Sequence, residues 1–277
     1  MKKTVLLTLA TLALTPALPA AALYGITGDN HLVSFNSSNP SSFSSSVAVT
    51  GLVGVNGSTP DPFATLLNIA YNPTQGSLYG LDSNANFYRI GTNGVATLVS
   101  NGLSPSGFSG GLAYDSFSDS FAFLTDAAEN FNLTTAGAVS ANPSLFYGNG
   151  DAHNGQAPNI FGIGIDPDFG SAFMIDSVTD TLVRSFSPDM AELFTVGPLG
   201  IDVTSFGGMV VDFEGNLYAS LSTDGLNSSL YSIDPSTGAA TLVGPHGTGI
   251  GSIAVPEPSA ALLGVIGLVG LLRRRRA

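Results

Sequence analysis

A short strand-like segment recurs five times along the chain, and its period constrains the fold more than any other feature. The copies are Ala22–Asp29, Ser77–Ser83, Ser120–Asp126, Ser171–Ser177 and Asn216–Ser222. With Leu23, Leu78, Phe121, Ala172 and Leu217 taken as equivalent, the spacings are 55, 43, 51 and 45 residues. Each of the last four copies is preceded by a second run that ends in a turn: Leu67–Pro73, Gly111–Ser116, Gly162–Pro167 and Gly208–Phe213. The first copy lacks this run, and its counterpart stands at the far end as Ile250–Val255. Two further strand-like runs follow each copy, clearest in Asn86–Ile90 with Gly94–Val99 and in Ser229–Ile233 with Ala239–Val243.

Four short strands per roughly 45 residues is the period of a β-propeller blade. The expectation is an all-β chain of five blades, 23–50 with 250–255, 66–99, 110–140, 161–196 and 207–243, closed where Ile250–Val255 lies beside Leu23–Ile26. An open β-sandwich is the alternative. No stretch has a helical period outside the two ends.

The ends read as targeting segments. Lys2 and Lys3, the apolar run Val5–Leu14, Pro16 and Pro19, and the small residues Ala20–Ala22 follow the order of a secretory signal peptide, with cleavage expected after Ala22. At the other end Pro256, Glu257 and Pro258 precede an uncharged stretch, Ala260–Leu272, and a basic cluster, Arg273, Arg274, Arg275 and Arg276. As a short apolar helix this stretch spans about 20 Å, less than the ~30 Å hydrocarbon core, and so is a marginal permanent anchor. The arginines would hold the C-terminus on the cytoplasmic side and leave Pro256–Pro258 on the exported side. These elements, in this order, resemble the PEP-CTERM protein-sorting signal. The resemblance implies an exosortase-type processing enzyme as partner, transient residence in the inner membrane through the C-terminal helix, and delivery to the cell surface or extracellular matrix of a Gram-negative bacterium. An ordinary short tail anchor is the alternative. The organisation expected is therefore a signal peptide at 1–22, a propeller at 23–255 and a sorting signal at 256–277.

Absence of cysteine makes such a domain indifferent to the redox state of its compartment. Between Leu23 and Val255 only Arg89 and Arg184 are basic, against 19 Asp and Glu, a formal net charge of −17. That field repels nucleic acid and anionic lipid and opposes adhesion to polyanionic polysaccharide unless divalent cations bridge the two.

The body also resembles the bacterial domain of unknown function 4394, a family of propeller-like exported proteins. The resemblance rests on Leu23–Phe35, Gly76–Leu81, Gly155–Asn159, Asp180–Val183, Thr195–Gly200 and Leu230–Gly244. The third repeat departs from the family, because Leu112–Phe121 lacks the arginines expected there. The family lends no established chemistry.

Candidate chemistry begins with the carboxylates. Asn72, Asp115, Asp166 and Asp212 share one register of the repeat, and Asp29, Asp82, Asp126 and Asp176 share another. A side chain required in every blade is expected to close a turn on its own backbone rather than to catalyse. The pairs Asp166 with Asp168, Asp115 with Asp119 and Asp176 with Asp180 could supply oxygen ligands to calcium, but none has the spacing of a calcium loop. No cofactor or metal is expected beyond that possibility.

A glycan-cleaving enzyme would need two acids ~5–10 Å apart in the propeller funnel. The acids outside the repeat are Asp61, Glu129, Asp151, Glu192 and Asp202. His31 and His246 are expected in solvated turns. His153, with Asp151 and Gln156, falls in the glycine-rich stretch Tyr147–Asn159, a candidate binding loop. Tyr24, Tyr79 and Tyr218, with Phe173 nearby, are expected in the core between blades. No phosphate-binding loop and no zinc-protease motif is present.

Taken together, these readings predict an exported, non-catalytic module that presents a loop-rich face to a protein or neutral-glycan partner. A glycan-active hydrolase and a purely structural biofilm-matrix component are the two alternatives.

Overall fold

The structure is a computed structural model that describes residues 20–107 and 109–256. The bulk of the expected signal peptide, Glu257, Pro258, the expected C-terminal helix and Arg273–Arg276 lie outside the described residues.

The described chain forms five four-stranded antiparallel blades, one of them extended by a fifth strand. The first takes β1 (Ala22–Thr27), β2 (His31–Asn36) and β3 (Asn39–Ala48) from the N-terminal end. The second is β4 (Leu66–Asn72), β5 (Ser77–Asp82), β6 (Phe87–Ile90) and β7 (Ala96–Ser100). The third is β8 (Gly110–Asp115), β9 (Ser120–Thr125), β10 (Asn130–Thr134) and β11 (Val139–Ala141). The two-residue β12 (Phe146–Tyr147) comes before the fourth, β13 (Ile160–Ile165), β14 (Ala172–Asp176), β15 (Thr181–Ser185) and β16 (Glu192–Pro198). The fifth is β17 (Gly207–Val211), β18 (Leu217–Leu221), β19 (Ser229–Ile233) and β20 (Ala240–Pro245), and β21 (Ile250–Ala254) returns to the first.

The closing strand sits where the repeat pattern requires. β21 pairs antiparallel with β1, with Tyr24 opposite Ala254 and Gly25 opposite Ile253. Uniting the two ends of the ring in one sheet leaves no open edge at the seam. The blade boundaries agree with the sequence reading. The addition is β12, which joins the outer edge of the fourth blade parallel to β16, with Phe146 opposite Glu192.

Strands β4, β8, β13, β17 and β21 are the innermost of their sheets, and each neighbours the next around the centre. Their approach is close enough to dictate residue type. A β-carbon at Gly164 would lie 2.8 Å from the Val211 backbone nitrogen, and one at Gly208 would lie 2.9 Å from the Ser252 Cα. Side chains bond across the blades as well: Asn68 Nδ2 donates to the Gly110 carbonyl at 2.7 Å, and the Ile69 N–H donates to Ser252 Oγ at 3.0 Å. Outward from this ring, apolar layers fill the spaces between sheets. Tyr79 and Phe87 of the second blade meet Phe121 of the third with ring centroids 4.8 and 5.4 Å away. Tyr79, Tyr218 and Phe173 are buried as the repeat register predicts, whereas Tyr24 is half-buried. Burying each large apolar side chain contributes roughly 1.5–3 kcal/mol, which lets a cysteine-free domain hold together on packing alone.

Candidate functional site

All five inner strands end on the same side, and there the channel opens into a cavity of about 90 Å³. The last residues of each strand line it, among them Tyr71, Tyr114, Ile165, Val211 and Val255, with Phe213 beside them. Neither Asp, Glu, Lys nor Arg lines this mouth. The register explains the composition. Tyr71, Tyr114, Ile165 and Val211 each precede the turn residue Asn72, Asp115, Asp166 or Asp212, so the strand delivers an apolar side chain inward and hands the polar group to the turn. The opening at the other end of the channel is different, lined by small and polar groups such as Thr27, Asn68, Ser109 and Ser205.

Two exposed phenylalanines stand in turns that also contribute Ser116 and Pro167 to the cavity lining. Phe117 and Phe169 stand in the turns after β8 and β13 and are 66% and 80% exposed. The Phe117 ring lies against the neighbouring turn, where a β-carbon at Gly170 would meet its edge at 3.3 Å. The same turns carry exposed carboxylates, Asp119 and Asp168, and the turn after β17 carries Glu214. Asp119 accepts the Tyr114 hydroxyl at 2.7 Å, and burial raises that tyrosine above its usual pKa. Arg89 and Arg184 lie near the ends of the third strands of their blades, β6 and β15, and each donates to a serine at the start of the second strand, Ser77 of β5 or Ser171 just before β14. The Arg184 guanidinium is also held between the Phe173 and Phe186 rings, 4.9 and 4.4 Å from their centroids.

The repeated acids close turns. Asn72 accepts the Gln75 N–H, Asp115 that of Phe117, Asp166 that of Asp168, and Asp212 those of Glu214 and Asn216, at 2.8–3.0 Å. Asp82 and Asp176 do the same with Asn84 and Val178. Burial raises Asp82 above the usual carboxylate range, and its partner Tyr88, also buried, is pushed up to about 12. Asp126 and Asp29 depart from the pattern: Asp126 Oδ1 is buried without a hydrogen-bond partner, and Asp29 accepts the Thr27 hydroxyl. Among the described residues no three His, Cys, Asp or Glu side chains gather to hold a metal.

The acids outside the repeat do not meet in the funnel. None of Asp61, Glu129, Asp151, Glu192 and Asp202 lines either opening of the channel. Asp61 receives Asn84 Nδ2 at 3.0 Å and the Phe63 N–H at 2.9 Å, which hold it below the usual range. Burial alone would raise Glu129, but the N–H groups of Gly107 and Ser106 outweigh it and lower its pKa. Asp202 is exposed, and Glu192 begins β16.

In the candidate binding loop, Asp151 is committed to structure. Its carboxylate accepts the His153 N–H at 2.8 Å and both the N–H and hydroxyl of Thr195, at 2.6 and 3.0 Å. These donors lower its pKa against the opposing effect of burial. The His153 ring packs 5.4 Å from that of Tyr147, and Gln156 is exposed. His31, partly exposed, lies 3.3 Å from an Asp29 carboxylate oxygen. His246 corrects the sequence reading: it is 2% exposed rather than solvated, packed edge-on at 5.1 Å against Phe35. Burial lowers its pKa to about 4, and its Nε2 has no partner.

Fold and mouth together define a five-bladed β-propeller whose channel opens through an apolar ring free of charged side chains. The sequence profile of the family described as "Domain of unknown function (DUF4394)" matches residues 31–254, and the chain belongs to that family. No curated protein matches it in sequence. Among solved structures it is similar to a protein of unknown function from Bacteroides thetaiotaomicron VPI-5482, with TM-score 0.51 and 19% identity over 72% of this chain and 53% of that one. The chain thus spans about half the length of that relative. A chain of a nidogen/laminin complex superposes with TM-score 0.51 at 13% identity, over 86% of this chain and 99% of that one. These likenesses are of fold. No helix among the described residues is long and apolar enough to cross a membrane.

Proposed function

We propose that the protein is an exported, non-catalytic display module of the bacterial envelope or extracellular matrix, sorted by its PEP-CTERM-like tail, and that the apolar channel mouth is its binding face. The observation that carries this reading is the composition of the mouth: Tyr114, Ile165, Val211 and their neighbours within, Phe117 and Phe169 exposed in the adjoining turns, and no Asp or Glu lining either opening. Hydrolysis of a glycan needs two convergent carboxylates, and none of the acids outside the repeat lines either opening. A sugar needs hydrogen-bond partners for its hydroxyl groups, of which this mouth offers few. An apolar side chain or short apolar segment of a protein partner fits it better, and basic residues beside that anchor would meet Asp119, Asp168 and Glu214.

The test uses residues 20–256, which contain every strand of the ring, and a fluorescent peptide with an apolar block followed by four arginines. Saturable single-site binding is expected, weakened at least fivefold by Phe117→Ala with Phe169→Ala and absent for a peptide ending in four aspartates. A lack of saturable binding, or glycan turnover by the same protein, overturns the proposal.

A further inference from the structure

The two basic side chains between Leu23 and Val255 occupy one register of the repeat. Arg89 stands opposite Tyr79 and Thr97, and Arg184 stands opposite Phe173 and Phe194. Each is braced by the serine two residues before Tyr79 or Phe173. Nε and Nη2 of Arg89 donate to Ser77 Oγ at 3.1 and 2.7 Å, and Nη2 of Arg184 donates to Ser171 Oγ at 2.9 Å. Beyond that brace the two blades differ. In the fourth blade the Phe173 and Phe186 rings cover the guanidinium. In the second, Gly91 and Thr97 take the places of Phe186 and Phe194. There the arginine is exposed and lines a cleft of about 430 Å³.

The Ser77 hydroxyl donates to the Gln75 carbonyl at 3.2 Å and so keeps its lone pairs for Arg89. Nε and one proton of Nη2 are spent on that serine, which leaves the edge formed by Nη1 and the other Nη2 proton. That edge is a planar two-donor fork, matched to the two oxygens of a carboxylate. The groups around it are polar and uncharged. Exposed Thr92 and Thr97 add hydroxyls, Asn93 Oδ1 accepts the Val95 N–H at 3.2 Å and leaves Nδ2 as a donor, and neither Asp nor Glu lines the cleft.

From this geometry we infer that the cleft binds a uronic-acid residue of a glycan, with Arg89 on the carboxylate and Thr92, Asn93 and Thr97 on the ring hydroxyls. Because the guanidinium is already held by Ser77, little side-chain freedom is lost on binding. The site is separate from the apolar mouth, although Tyr71 lines both, and it offers the hydrogen-bond partners that the mouth lacks. The formal charge of −17 between Leu23 and Val255 opposes a densely charged polyuronate. The ligand class is therefore a largely neutral glycan that carries isolated uronates.

Residues 20–256 contain every strand of the ring and only these two arginines, so nitrogen-15 arginine labelling gives two side-chain Nε–H signals, with Arg184 as the internal control. Glucuronate is expected to shift the Arg89 signal saturably and to leave that of Arg184 in place. Glucose and acetate, each with half of the recognised chemistry, are expected to bind at least fivefold more weakly. Arg89→Lys keeps the charge and loses the fork, and saturation-transfer signals of the sugar are expected to show at least fivefold weaker binding. Thr97→Phe restores the residue of the fourth blade beside the guanidinium and is expected to weaken binding at least tenfold while the Arg89 signal persists. No saturable shift at Arg89, or equal shifts at both arginines, overturns the inference. Acetate as strong as glucuronate overturns the sugar, sulfate stronger than glucuronate overturns the carboxylate, and wild-type binding by Thr97→Phe overturns the cleft as its place.

Discussion

The hydroxyl of Tyr147 donates a 2.6 Å hydrogen bond to Oδ2 of Asp176, and both side chains are buried. This bond ties β12 to the turn after β14. Asp176 Oδ2 also accepts the Asn159 N–H at 3.1 Å, so a single carboxylate anchors both ends of the stretch that was the candidate binding loop. Burial, with the Asp176 carboxylate beside it, raises the Tyr147 pKa and keeps the phenol a donor at any physiological pH.

Tyr147→Phe removes the bond but leaves the Asn159 N–H on the same oxygen. A loss of about 1.5–3 kcal/mol of unfolding free energy is expected, the range for a hydrogen bond to a charged group. Urea denaturation of wild type and variant measures it, and an unchanged midpoint would show that β12 contributes nothing to the blade.

Asp151 holds the same stretch from its other side through Thr195. Asp151→Ala is expected to raise amide hydrogen exchange in residues 148–159 while leaving β13 and β14 protected, because the lost bonds belong to the connection rather than to the sheet. Unaltered exchange would return Asp151 to the list of residues free to bind a ligand.

His246 gives the fold a pH dependence of known sign. Its folded pKa is lowered by burial to about 4, against about 6.5 in an unfolded chain. Between these values the unfolded state binds the extra proton, so stability falls as pH drops through this window, by about 3 kcal/mol in full. Other groups also respond to acid, and the measurement is therefore the difference between wild type and His246→Leu. The variant is expected to show the shallower loss from pH 6.5 to 4, and parallel curves would place the imidazole in solvent.

Gly164→Val probes the closeness of the inner strands. A β-carbon there would stand 2.8 Å from the Val211 nitrogen and 2.9 Å from its Cγ2, and overpacking of this kind costs ~1–3 kcal/mol or more. Thermal denaturation reads the result. A variant as stable as wild type would mean that β13 and β17 can move apart and that the channel is wider than described.

The ring was legible in the sequence because each blade repeats one pattern, and even the displaced strand Ile250–Ala254 could be matched to Leu23–Ile26. The turn role of the repeated acids was legible for the same reason, since Asp115, Asp166 and Asp212 bond to the backbone just beyond them. His246 was not. Its flanking glycines suggest a turn, and what buries it is a contact with Phe35 and Pro40, some two hundred residues away in the chain. β12 is two residues long and parallel to a strand 46 residues later in register, with no periodicity to reveal it. The apolar mouth left a faint signal, an apolar residue before each turn acid. Only the closed ring shows that Tyr71, Tyr114, Ile165 and Val211 line one opening, and that Phe117 and Phe169 stand out beside it.

This mouth, rather than the 148–159 stretch or the opposite opening, is the proposed binding face. Hydrogen exchange of residues 20–256 with and without the apolar-arginine peptide tests it most directly. Protection is predicted at Tyr114–Phe117, Ile165–Phe169 and Val211–Phe213, with no change at 148–159 or at Ser205–Gly207. Protection confined to 148–159 or to Ser205–Gly207 would contradict it.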